Sequence, residues 1–208
     1  MGLTIGDFKK RIINAVDFNP RLTPNVMLTL VKDRIRDIAQ ETQAFRRAYD
    51  VFVGTNPVER EFRWQTTDSI ISCEKVLYGT SEDFDIYNQT FVQLDKNIDY
   101  EFDFHSDLAA TVQGFVLRLH FEPESNYYIR VITSNIPDVN ALDAIWLTDT
   151  EDFLSVIPET FIDPLIKGVI YLWKKEYDRD PLSAFYQREY EGSRDKLGAI
   201  RGERIDLV

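Results

Sequence analysis

Apolar side chains recur every three or four residues near both ends of the chain and every two through its middle. Ile5, Phe8, Ile12 and Ala15 keep helical spacing, which predicts a first helix from about Ile5 to Val16. Thr4 stands where an N-cap belongs, Asp7 lies in the first turn where the helix dipole favours an acid, and Asn19-Pro20 ends the run. Thr23-Pro24 then pairs a capping residue with a proline at the first helical position. Met27, Val31, Ile35, Ile38, Thr42 and Phe45 advance by 4, 4, 3, 4 and 3, one stripe on a helix reaching about Arg47. Lys32, Arg36, Glu41 and Arg46 fall on the opposite face, so the stripe calls for a partner helix.

From Tyr49 the period is two. Tyr49, Val51 and Val53 alternate, as do Phe62 and Trp64, and strand-like runs follow at Ile70–Tyr78, Tyr87–Leu94, Tyr100–His105, Phe115–Phe121 and Tyr127–Thr133. Turn residues separate them at Gly54–Pro57, Gly79–Asp85, Asp95–Asn97, Glu122–Asn126 and Asn135–Asp138. Helical spacing returns after Ile157-Pro158. Phe161 to Trp173 is apolar almost all round until Lys174 and Lys175, the mark of a buried central helix. Asp180-Pro181 opens a last helix through Phe185, Tyr190 and Leu197, and Gly198 to Val208 forms a short mixed tail.

This order predicts an α+β fold: a helical bundle from both chain ends, with an inserted antiparallel β-sandwich or small barrel. The expected boundaries are 1–48 and 150–208 for the helical domain and 49–149 for the insert.

Composition narrows the classes. Hydrophobic residues at 44% and charged residues at 28% describe a globular chain and exclude fibrous or disordered classes. The net charge is −11, and residues 51–150 carry the deficit with 6 basic and 17 acidic side chains. A chain that binds nucleic acid by neutralising phosphates needs clustered Lys and Arg, and no such cluster is present. No run approaches the ~18 apolar residues that span a bilayer, and Met1 to Lys10 has no secretory apolar core. A single cysteine, Cys73, rules out an intrachain disulfide and suits a reducing compartment.

Candidate chemistry is sparse. His105 and His120 both sit in strand-like runs, where a structural or surface role is the plain reading, and no motif activates Cys73. Asp95-Lys96-Asn97-Ile98-Asp99 copies the start of a calcium loop, but Tyr100 and Ser106 stand where Gly and Glu are needed. Asp99, Glu101 and Asp103 share one face of a strand, an ordinary solvated pattern. Asn88-Gln89-Thr90 matches a glycosylation sequon that has no secretory context. Nucleotide loops and nucleophile elbows are absent from the sequence. The reading assigns no catalytic, cofactor-binding or metal-binding residue.

Several segments resemble head-to-tail adaptor proteins of tailed bacteriophages, also called connector or head-completion proteins. They are Ile70–Tyr78, the apolar strand Gly114–Pro123 that ends in proline, Tyr127-Tyr128-Ile129-Arg130-Val131, Ile157-Pro158-Glu159 followed by the apolar helix Leu165–Leu172, and Ala184–Glu191. The resemblance implies a structural virion protein, made in the host cytoplasm and located in the virion neck. It would form a ring with copies of itself, usually twelve, below the portal protein. It would also meet tail or further ring proteins and let genomic DNA pass without specific binding, with no membrane involved. The resemblance also implies a docking role for the C-terminal tail, here Ile200, Arg201, Arg204, Ile205, Leu207 and Val208. Two other readings stand beside it. One is a different neck, tail-completion or fibre-attachment protein. The other is a carbohydrate-binding module or hydrolase that uses Trp64, Tyr78, Tyr87, Tyr127 and Tyr128 as stacking platforms.

Overall fold

Thr4 caps the first helix as its position requires. Its hydroxyl accepts from the Asp7 amide at 3.1 Å, opening α1 (Ile5–Ala15). Thr23 does the same for α2 (Pro24–Thr42), accepting from Val26 N. The structure is a computed structural model that describes residues 3–17, 19–54, 60–80, 91–106, 113–153 and 157–200.

α2 ends about five residues before the helix predicted from its stripe. Gln43 takes a left-handed conformation at φ 51° and donates to the Ala39 carbonyl, which turns the chain out of the helix. Phe45 is still buried, edge-on to Phe161 at 6.0 Å. Among the described residues seven strands follow: β1 (Arg46–Val53), β2 (Glu61–Thr66), β3 (Ser69–Gly79), β4 (Phe91–Gln93), β5 (Tyr100–Ser106), β6 (Gln113–Leu119) and β7 (Tyr127–Ile136). After them come α3 (Ala141–Ile145), a single 3-10 turn at Glu159–Phe161, α4 (Ile162–Leu172), a π turn at Trp173–Tyr177, and α5 (Ser183–Ile200).

The chain divides into two compact units, residues 3–45 with 136–200 and residues 46–135. In the second unit the strands form two sheets, ordered β1-β7-β3-β4 and β2-β6-β5. The β1–β7 pairing is antiparallel from Arg46↔Ser134 to Val53↔Tyr127, and β6 is flanked antiparallel by β2 and β5. One apolar face of the three-stranded sheet presents Phe62, Trp64, Phe115, Leu117, Leu119, Tyr100 and Phe102 to a core shared with Val76, Tyr78, Ile129 and Val131. The opposite face of the same strands carries charge. Glu61 bridges Arg63 and Arg118 and Arg118 reaches Asp103, a ladder that crosses all three strands. Arg118, and then Arg63, hold the Glu61 carboxyl below the ordinary carboxylate value.

In the first unit α4 is the hub, packed by α1, α2 and α5. Gly168 is where α2 and α5 come nearest to it. A Cβ there would lie 2.9 Å from Arg34 Cδ and 2.9 Å from the Tyr190 ring. Arg34 can swing aside, but Tyr190 is buried and stacked on Tyr171 at 6.1 Å. Gly168→Ala is therefore expected to destabilise by about 1–2 kcal/mol, because overpacking outweighs the helix propensity gained. A chemical-denaturation midpoint shifted downward at unchanged slope checks this, and an unchanged or raised midpoint contradicts it.

The expected fold class needs correction. The strands build two open sheets of four and three strands, with no closed barrel among the described residues. The helices do not form a bundle from both chain ends. The core around α4 draws Trp146, Phe153 and Ile157 from irregular chain between α3 and α4. An extended segment also pairs there: Thr4 bridges Asp152, Ile5 N donates to the Glu151 carbonyl and Gly6 N to the Asp149 carbonyl. The physical reason is length. α1 has only 11 residues, too short an apolar stripe to enclose α4, so non-helical chain completes the packing.

Candidate functional site

Where their side chains are described, the residues singled out for chemistry make structural contacts. His120 lies with Nδ1 2.8 Å from the Ile98 carbonyl and Nε2 3.7 Å from Glu101, pinning the turn before β5. His105 belongs to β5, and its side chain lies outside the described residues. In the calcium-like loop the Asp99 carboxylate accepts from the Asp95 backbone amide at 2.8 Å, and Asn97 takes a left-handed φ of 67°. Those carboxylates are turn-formers, and among the described residues no group of three potential ligands could hold a metal ion. Asp103 is taken by Arg118 and Glu101 faces His120. The sequon at Asn88 lies outside the described residues.

Cys73 sits on β3 with its sulfur 4.0 Å from the Tyr100 hydroxyl. Burial pushes its thiol from the ordinary 9.0 up to about 11. A raised pKa in the folded state means that stability is fully present below the unfolded thiol value and falls as pH rises toward about 11. At mildly alkaline pH the folded protein should react with iodoacetamide on the order of 100-fold more slowly than its denatured form, through the smaller thiolate fraction. Equal rates in native and denatured protein would contradict the placement.

The aromatic platform expected for sugars is largely consumed by packing. Tyr78 stacks on Tyr127 at 4.6 Å and meets Phe121 edge-on, and Trp64 stacks on Phe115 at 4.9 Å. Tyr128 tilts against Phe52, which is itself half exposed. Tyr87 lies outside the described residues. The tail expected to dock is also beyond view. Ile200 ends α5 without a described side chain, and Arg201, Arg204, Ile205, Leu207 and Val208 lie outside the described residues.

Two features were not legible from spacing. The first is a polar stitch in the β unit. Arg46 Nη2 lies 3.2 Å from Glu74 Oε2, and the Ser134 hydroxyl donates to the other oxygen of the same carboxylate. Beside it Arg47 pairs with Asp68 at 2.9 Å, and the Tyr49 hydroxyl lies 3.0 Å from Thr66 Oγ1 and 3.2 Å from the Asn135 amide. Arg47, Tyr49, Gln65, Thr66, Thr67 and Asp68 line an open depression of about 400 Å³. The Arg47–Asp68 and Tyr49–Thr66 contacts tie β1 to the end of β2 and the turn after it.

The second lies on the helical unit. The π turn breaks the i→i+4 ladder, with Asp178 N donating to the Trp173 carbonyl at 3.1 Å. Trp173 thereby stacks on Tyr177 at 4.8 Å, and Lys174 is held between Asp178 and Asp180. Beyond the turn, Leu182 and Phe185 stand exposed. Phe185, Tyr186 and Glu189 of α5, Ile170 and Lys167 of α4 and Ala15 at the end of α1 line a mainly apolar, partly open pocket of about 180 Å³. Lys167 is oriented there by Asp163 at 2.9 Å and Ser193 at 2.8 Å.

Among the described residues no helix is long and apolar enough to cross a membrane. No family model and no curated protein matches this sequence.

Proposed function

We propose that the protein is a structural component of a tailed-phage neck. It assembles as a ring below the portal, joins capsid to tail and leaves a passage for DNA. The observation that carries the reading is the order of the segments behind the resemblance. They fall on β3, β6, β7, α4 and α5, with β3 and β7 adjacent in one sheet and α4 at the centre of the helical unit. Exposed Tyr177, Leu182 and Phe185 support an assembly role, because apolar side chains left in water by one copy are covered in a ring. The acidic excess supports a conduit, since a basic lining would hold DNA where it has to slide. In this reading the protein performs no catalysis and needs no cofactor.

Gold-labelled antibody against this chain, applied to tailed particles assembled from the genome that encodes it, tests the proposal. Label at the head–tail junction is the expected result. Label on fibres favours the fibre-attachment alternative, and particles without label overturn the reading.

A further inference from the structure

We propose that copies of this chain join by strand addition, the free edge of β5 in one copy pairing in parallel with the free edge of β2 in the next. The proposal deepens the ring reading, and rests on it, by naming the contact between subunits.

The hydrogen-bond phase of the three-stranded sheet fixes which backbone groups are left over. His120 N donates to the Asp99 carbonyl at 2.8 Å, so Asp99 and every second residue after it point their backbone groups at β6. Phe102 and Phe104 therefore aim theirs away from β6, to the outside of the sheet. The other side obeys the same rule. Leu119 N donates to the Arg60 carbonyl at 2.8 Å, so Phe62 and Trp64 bond β6, while Glu61, Arg63 and Gln65 turn their amides and carbonyls outward. Neither β2 nor β5 has a further strand beside it among the described residues. Soluble proteins guard such edges with lysine, proline or a bulge. Neither strand contains lysine or proline, and both pair with β6 without a skipped residue.

Charge selects which edges meet. On β2, Glu61 is one carboxylate serving two guanidinium groups, Arg63 at 2.8 Å and Arg118 at 2.9 Å. Arg60, just before β2, is taken by Glu122. On β5 the exposed charges are both acidic. Asp103 shares Arg118 with Glu61, and Glu101 has only the His120 imidazole, 3.7 Å away. The β2 edge is thus short of acid and the β5 edge short of base. Two β5 edges would set acids beside acids. The β2 edge, in the register that places Glu101 beside Arg63 and Asp103 beside uncharged Gln65, carries the ladder of alternating charge from one copy into the next.

In that register the Phe102 amide meets the Arg63 carbonyl, the Gln65 amide the Phe102 carbonyl, and the Phe104 amide the Gln65 carbonyl. The apolar faces also line up. Phe102 comes beside Trp64, and Phe104, 58% exposed in a single copy, comes beside Thr66. β2 and β5 each run antiparallel to β6, hence parallel to one another, and they are opposite edges of one sheet. Joining them between copies is heterologous and propagates until a ring closes.

Sedimentation of the full chain from about 10 μM to about 1 mM covers the range in which a contact of a few main-chain bonds dissociates. Wild type should associate reversibly and beyond the dimer. Amide hydrogen exchange, quenched and read residue by residue, reports the backbone. Phe102, Phe104 and Gln65 should exchange at least ~10-fold more slowly at the high concentration, while Glu101 and Asp103, already bonded to β6, change little. Phe104→Pro removes an outward amide of β5 and no bond to β6, and Gln65→Pro does the same on β2. Each should weaken association on the order of 10-fold or more. Mixing the two variants leaves one sound β2 edge and one sound β5 edge, so the mixture should form dimers and stop there. Circular dichroism of each variant confirms that it is folded. Wild type that stays monomeric overturns the contact, as does association that ends at dimers, the mark of like edges pairing. So does a folded variant that associates as wild type does, a mixture that forms no dimer, or edge amides whose exchange ignores concentration. None of these results bears on whether the protein sits in the neck, which the gold label decides separately.

Discussion

Phe115→Ala is expected to lower stability by about 3–5 kcal/mol, a large share of the roughly 5–15 kcal/mol that holds a domain folded. Phe115 is fully buried on β6, the middle strand of its sheet. Its ring stacks on Trp64 at 4.9 Å and on Phe102 at 5.0 Å, and meets Tyr49 edge-on at 5.0 Å. One truncation therefore removes an aromatic hub that touches both neighbouring strands of its own sheet and one strand of the other sheet. Phe115→Leu keeps much of the volume and should cost about 1–1.5 kcal/mol. Urea denaturation followed by tryptophan fluorescence measures both, since Trp64 lies against the altered ring. Similar midpoints for Phe115→Ala and wild type would show that this cluster does not hold the two sheets together.

Glu74→Ala should cost a similar amount for a different reason. Arg46 and Glu74 are each 9% exposed. Removing the carboxylate leaves a buried guanidinium without that counter-charge and takes the acceptor of the Ser134 hydroxyl away, roughly 3–5 kcal/mol in other buried pairs. Charge can be separated from packing with the paired change Arg46→Met with Glu74→Leu. Replacing both ions by apolar groups of similar volume should restore most of the lost stability. If the double variant is as unstable as Glu74→Ala, the cost lies in shape and not in the stranded charge.

Much of the local structure could be read directly. The Thr4 and Thr23 caps formed as spacing required, the alternating runs at Tyr49–Val53, Ile70–Tyr78 and Tyr127–Thr133 lie within strands, and the run Phe115–Phe121 outlasts its strand, which ends at Leu119. The end of α2 could not be read. Phe45 continues the helical stripe, yet it is buried by a chain that has already left the helix at Gln43, and a periodicity argument cannot distinguish the two. α3 escaped because five residues carry no period. The fold class failed where it depended on closure. Alternation states which side chains face inward, but not whether a sheet curls into a barrel or stays open.

The candidate site divides in the same way. Of the tail named from the sequence, Gly198 to Ile200 end α5 and residues 201–208 lie outside the described residues. The cavity brings Ala15, Ile170 and Phe185 together from three helices, and each alone reads as an ordinary residue on a helix. Glu74 reads as a polar position in a strand until Arg46 and Ser134 arrive beside it. Caps, turns and periods are set by backbone geometry over a few neighbouring positions, so the order of the residues was enough to specify them. The sheet order, the buried ion pair and the apolar pocket depend on contacts between residues as distant in the chain as Ala15 and Glu189. Those contacts form only when packing has chosen which elements meet.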